Sequence, residues 1–207
     1  MSSDQEAFSC VVLISGNGSN LQAIIDAGFA SDIRAVISNK ADAYGLVRAQ
    51  AANIPTAILS HKDFGSRELY DAALAKLISN YNPQLIILAG FMRILSHAFV
   101  KQFAGKIINI HPSLLPKYPG LNTHARVLSA KDSHHGVSVH FVTEALDGGP
   151  LIAQTSLNIS PQDTVHTLQE RVHTLEHKIY PQVLKLFKEK RIQLIDSQVF
   201  IDNKAIS

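Results

Sequence analysis

Three polar residues in this 207-residue chain have the types and spacing of an acyl-transfer site. Asn109 and His111 lie in Asn109-Ile110-His111-Pro112-Ser113-Leu114-Leu115-Pro116, and Asp147 lies in Asp147-Gly148-Gly149-Pro150. Alternate residues of an extended segment share a face, so the carboxamide of Asn109 and the imidazole of His111 point the same way. Both can donate to the oxyanion that forms when a carbonyl carbon turns tetrahedral. A carboxylate beside the ring favours the imidazolium and can hold a water, and the glycines after Asp147 let the backbone turn sharply enough to present it. Each segment alone also has an ordinary reading, as a proline-held polar loop and as an Asp-Gly turn.

A second group suits anion binding. Ser15-Gly16-Asn17-Gly18-Ser19-Asn20-Leu21 is a glycine-rich turn between an apolar run and a helical pattern. Such a turn aims free backbone N–H groups, with the Ser19 hydroxyl, at an anion on the helix N-terminus. The dinucleotide fingerprint competes, but position 21 is Leu rather than the third glycine, and the second strand ends in Ser38-Asn39-Lys40 without the acid that a ribose diol requires. A phosphate monoester fits better than NAD. The plain alternative is a tight turn in which Ser19 or Asn20 caps the helix. His124, His134, His135 and His140 match no familiar zinc spacing and no cysteine assists them, so no metal is expected, and His134 and His135 read as a solvated turn. Phe91-Met92-Arg93-Ile94-Leu95 reads equally as a ligand wall or as an apolar connection into the next helix.

The elements that must position these residues alternate. Cys10–Ser15, Arg34–Ser38, Thr56–Leu59, Leu85–Ala89 and Ile107–Ile110 read as strands, and the amphipathic stretches Leu21–Ala27, Tyr44–Ala52, Ser66–Asn80 and Ser96–Phe103 as helices between them. That pattern gives an α/β fold: a Rossmann-like, doubly wound, mostly parallel sheet, with Leu85-Ile86-Ile87-Leu88 as a central strand. Ligands of such sheets bind at the C-terminal ends of the strands, where the motifs fall. Val137–Val142 and Leu151–Leu157 alternate and predict a C-terminal antiparallel extension. A long C-terminal helix follows over Thr164–Lys190, with a kink expected at Pro181, and then a short tail. Without repeats or linkers, residues 1–207 read as one domain.

Composition narrows the partners. Nineteen Lys+Arg against 17 Asp+Glu leave a net charge of +2 with no basic block, which argues against nucleic acid. No apolar run reaches the roughly 18 residues of a membrane helix, and Asp4 and Glu6 speak against a leader peptide, so a cytoplasmic location is expected. The single cysteine, Cys10, sits among Phe8, Val11 and Val12 and reads as a buried apolar residue.

Taken in order, Ser15–Asn20, Ala89–Leu95, Asn109–Pro119, His140–Val142 with Leu146–Pro150, and Thr174-Leu175-Glu176-His177 resemble the glycinamide ribonucleotide formyltransferases. The resemblance runs from about Cys10 through the long helix. It implies the formyltransferase fold and transfer of a formyl group from 10-formyltetrahydrofolate, as cosubstrate, to the amine of glycinamide ribonucleotide in purine biosynthesis. It implies Asn109, His111 and Asp147 as the catalytic group, Gly18, Ser19 and Asn20 around the substrate phosphate, and Glu176 on the ribonucleotide. The reduced folate is implied to lie against Met92, Arg93, Ile94 and Leu95, beside Asn109 and near Arg67. The alternatives are a formyltetrahydrofolate deformylase, which needs only water as acceptor, and a nucleotide-binding module without catalysis.

Overall fold

The computed structural model describes residues 7–206; Asp4 and Glu6, and the argument drawn from them, lie outside the described residues. Five parallel strands, β1 (Cys10–Ile14), β2 (Ile33–Ser38), β3 (Thr56–Ile58), β4 (Leu85–Leu88) and β5 (Ile107–His111), are followed by β6 (His134–Phe141) and β7 (Leu151–Asn158). The sheet order is β3-β2-β1-β4-β5-β6-β7, with β6 and β7 antiparallel to their neighbours. The chain leaves β1 toward β2 on one side and later returns to β4 on the other. The crevice at this reversal lies at the C-terminal ends of β1 and β4.

β1 and β4 are buried throughout because both faces of the sheet are covered. Along β1 the residues alternate between two cores: Cys10, Val12 and Ile14 pack with Leu21, Ile24, Val172 and Tyr180, whereas Val11 and Leu13 pack with Tyr70, Leu74, Ile78 and Phe99. This is the period of a strand read against two layers. The helices are α1 (Ser19–Ile24), α2 (Tyr44–Ala51), α3 (Arg67–Ser79), α4 (His97–Gln102), α5 (Thr123–Ser129) and α6 (Val165–Lys188). Ser66 and Ser96 cap α3 and α4 through their hydroxyls, and Thr164 and Thr167 cap α6 reciprocally. Burial raises the Cys10 thiol pKa, as expected of an inert core cysteine.

α6 runs through Pro181 as one continuous helix to Lys188. Its buried stripe includes Leu168, Val172, Ile179 and Val183, whose packing outweighs the one backbone bond that proline removes. The Tyr180 hydroxyl donates toward the carbonyls of Leu88 (3.0 Å) and Ile108 (3.3 Å), fixing α6 over the ends of β4 and β5.

Two expectations need correction. The tail after Arg191 is a three-stranded antiparallel sheet, β8 (Ile192–Ile195), β9 (Gln198–Ile201) and β10 (Lys204–Ala205), with Val199 buried against the core. Its turns place Asp196 and Ser197, then Asp202 and Asn203, at positive φ, the geometry of tight hairpins. His134 and His135 belong to β6 rather than a turn; His134 is exposed but His135 is buried.

Candidate active site

The site is assembled across the β5–β6 pair. Asn109 and His111 are alternate residues of β5, and the register puts Asn109 opposite His140 and His111 opposite Ser138. Facing residues of an antiparallel pair share one side of the sheet, so His140 joins the two expected residues. The His140 Nδ1–H donates to the Phe141 carbonyl at 2.8 Å, which leaves Nε2 as the acceptor for the Asn109 amide at 3.3 Å. Burial pushes the His140 pKa down, against the Phe141 carbonyl and Asp147, in keeping with a neutral ring. Asp147 Oδ1 lies 3.7 Å from His140 Nε2, beyond hydrogen-bond range.

His111 is enclosed by acceptors. Its Nε2–H donates to the Tyr118 carbonyl at 2.9 Å, and Nδ1 lies 3.3 Å from Asp147 Oδ2. The Tyr118 carbonyl thus fixes Nε2 as a donor, and Nδ1 faces the carboxylate. Side-chain exposures of 7% for His111 and 9% for Asp147 keep the pair largely out of water. Asp147 reaches it from a turn with φ 50°, and its Oδ2 also accepts from the Gly120 N–H at 2.8 Å. A Cβ on Gly149 would lie 1.8 Å from the Phe141 carbonyl oxygen, so only glycine lets this turn close on β6.

These groups border a cavity of about 710 Å³. Met92, Arg93, Ile94 and Leu95 form one wall, and Leu121, Leu146 and Val165 contribute further apolar surface. Arg67 is not among the lining residues; its guanidinium pairs with the adjacent Glu68 at 3.2 Å on the surface. Ser15 was read only as the start of the glycine-rich turn, yet its hydroxyl ties three strand ends together. It donates to Asn39 Oδ1 (2.6 Å) and accepts from the Met92 N–H (2.8 Å), which fixes the Met92–Leu95 wall beside the turn.

The turn itself starts α1 from Gly18 at φ 75°, with no side chain accepting from the helix end. The capping alternative for Ser19 or Asn20 is therefore not what is built. The first-turn N–H groups have no intrahelical acceptors and point outward. Asn20 instead donates to Glu176 Oε2 at 2.8 Å, while Asn20 Oδ1 is buried with no partner among the described residues. Burial raises the Glu176 pKa despite the bond from Asn20. Thus Asn20 and Glu176 meet at the α1–α6 contact, with Gly18 and Ser19 directly preceding Asn20.

The histidines weighed as metal ligands are dispersed. His124 Nδ1 and His135 Nε2 share a proton at 3.0 Å, and burial lowers both pKa values to about 4, so the pair is neutral at pH 7. Among the described residues, no group of three or more His, Cys, Asp or Glu side chains is placed to hold a metal ion. No described helix is long and apolar enough to cross a membrane.

Comparison with known proteins matches residues 9–184 to the family described as Formyl transferase. The chain belongs to the formyl transferase family. Within it, phosphoribosylglycinamide formyltransferase of Escherichia coli strain K12 is 52% identical over 200 residues, covering 95% of this chain and 94% of that one. The trifunctional purine biosynthetic protein adenosine-3 of Chironomus tentans is 47% identical over 191 residues, which span 89% of this chain but 14% of that larger protein. The phosphoribosylglycinamide formyltransferase of Coxiella burnetii, solved with CHES, superposes with a TM-score of 0.94 at 59% identity, covering 98% and 97% of the two chains. The seven-stranded sheet, the antiparallel extension and the long helix are the formyl transferase fold. Family membership makes this chain a formyltransferase and implies a folate-type formyl donor.

Proposed function

We propose that the chain transfers the formyl group of 10-formyltetrahydrofolate to the amine of glycinamide ribonucleotide in purine biosynthesis, with residues 1–207 acting as one formyltransferase domain. The observation that carries the reading is the joining of two sites in one crevice. Asn109, His111 and Asp147 border a cavity large enough for a folate, and the open turn Gly18–Asn20 lies beside its Met92–Leu95 wall. The names of the relatives at about half identity supply the ribonucleotide acceptor and the formyl group, and the family implies a folate-type donor.

In this reading the turn binds the ribonucleotide phosphate through backbone N–H groups, and Asn20 with Glu176 meets the ribose. The Met92–Leu95 wall takes the pterin, while Arg67, outside the cavity, serves the folate's distal carboxylates. The substrate amine attacks the formyl carbon. The oxyanion is stabilised by the second Asn109 amide proton and the charge on His111, whose longer contact, to Asp147, is the one that yields. A water on Asp147 takes a proton from the attacking nitrogen and returns one to the folate nitrogen, so the carbon–nitrogen bond to the folate breaks as the product amide forms. In this reading His111 carries the positive charge that the oxyanion requires, and no metal takes part. A cytoplasmic location belongs to the same proposal and rests on a sequence whose single cysteine needs no oxidising compartment.

Tetrahydrofolate release from 10-formyltetrahydrofolate, with and without glycinamide ribonucleotide, tests the reading. Strict dependence on the ribonucleotide, with formylated product, is expected. Equal release with formate produced in its absence would replace the transferase by a deformylase, and no release in either condition would leave a binding module.

A further inference from the structure

His111 is held by a segment that carries no reacting group. Its Nε2–H donates to the carbonyl of Tyr118, and Gly120, two residues on, donates its N–H to Asp147 at 2.8 Å. One short stretch of backbone therefore sets both members of the His111–Asp147 pair. Tyr118 adopts φ 56°, a left-handed conformation that a bulky residue rarely takes and that persists only where its surroundings enforce it.

The surroundings do so through the side chain. The Tyr118 hydroxyl donates to Asp132 Oδ2 at 3.0 Å, in the turn between α5 and β6. The Arg126 guanidinium lies over the ring at 5.3 Å and donates to the Pro119 carbonyl at 2.5 Å. Ser113 Oγ donates to the Lys117 carbonyl at 2.6 Å, tethering the other side of the segment to the end of β5. Without the phenol bond, the strained peptide can relax toward φ below zero, and the carbonyl then turns away from His111.

We propose that Tyr118 is a positioning residue for the transfer reaction. Its phenol, anchored on Asp132, holds the left-handed peptide whose carbonyl orients the His111 ring toward Asp147. The proposal rests on the catalytic reading of His111 given above. Tyr118→Phe removes only the hydroxyl and is expected to lower kcat about tenfold or more, with both KM values within about twofold, because displacement of a catalytic group by less than about 1 Å slows chemistry without removing a substrate contact. Asp132→Ala should reproduce that loss. Asp132→Asn keeps an acceptor oxygen for the phenol and should recover kcat to within about threefold of the parent. The double variant Tyr118→Phe with Asp132→Ala should be no slower than the slower single variant, since each loses the phenol–Asp132 bond, Asp132→Ala also losing the Lys117 contact at 3.0 Å.

These variants are assayed for ribonucleotide-dependent tetrahydrofolate release, alongside thermal unfolding, with the parent enzyme as reference. An inactive parent refutes the transferase reading itself. An active parent with Tyr118→Phe at unchanged kcat, or with kcat unchanged and a raised KM, overturns the positioning role. If Tyr118→Phe fails to fold, the Asp132 pair decides: equal kcat in Asp132→Ala and Asp132→Asn overturns the proposal, and recovery in Asp132→Asn alone supports it.

Discussion

The ends of β1 and β5 both supply polar groups to the cleft, but they leave different things unsatisfied. At the end of β5, His140 is tied to Asn109 and to the Phe141 carbonyl, and both His111 nitrogens face acceptors, the Tyr118 carbonyl and Asp147. At the end of β1, no side chain accepts from the Gly18–Asn20 turn, and Asn20 Oδ1 is buried without a partner among the described residues. A preorganised cluster suits charge that develops during a reaction, because only the longer His111–Asp147 contact must give when it appears. An open set of donors suits a ligand that arrives already charged. The contrast predicts that changes at β5 act on turnover and changes at β1 on substrate affinity.

The largest expected effect breaks the β5 side. His111→Ala should slow kcat by about two to four powers of ten, with KM for the ribonucleotide little changed in steady-state kinetics. A raised KM at normal kcat would erase the division between the two ends. Gly18→Ala attacks the other end: at φ 75° its Cβ would lie 2.6 Å from the Gly45 Cα, so backbone must move. A strain of about 1–3 kcal/mol corresponds to a roughly fivefold to hundredfold rise in KM for the ribonucleotide, read from substrate titrations at unchanged kcat.

His140→Phe sharpens the β5 side more gently, removing the acceptor that orients Asn109 while keeping the ring volume. Loss of one hydrogen bond of about 1 kcal/mol should reduce kcat by roughly fivefold to tenfold. The smallest effect concerns Glu176 and is read in stability. Burial raises its pKa above the ordinary 4.5, so between that value and the raised one the folded state holds more protons than the unfolded state. Stability therefore falls as pH rises through this window, by no more than about 1.4 kcal/mol per pH unit for one proton. Glu176→Gln should lack that slope, and denaturant titrations at several pH values above 4.5 compare the two.

Much of the β1 end is legible in the sequence because its determinants are local. Glycines at 16 and 18 between an apolar run and a helical pattern specify a strand, a turn and a helix start within one short segment. Leu85–Leu88 likewise announces a strand buried on both faces, since no residue in it suits water. The β8–β10 sheet escaped because its strands are short and half-exposed, and their signal lay in the Asp196-Ser197 and Asp202-Asn203 turns. Adjacent histidines look solvated in a sequence, whereas the burial of His135 depends on packing in β6 and on the partner nitrogen of His124.

By itself the sequence determined the alternation of strands and helices, the glycine-rich turn, and Asn109 and His111 on one face, all consequences of backbone periodicity and local conformational preference. Only the tertiary structure decided which groups meet. The β5–β6 register brought His140 to Asn109, a left-handed Tyr118 turned its carbonyl to His111, and the close approach of Gly149 to Phe141 carried Asp147 into place. Those meetings depend on pairing and packing between segments distant in the chain, and the residue types at each position do not encode that geometry locally.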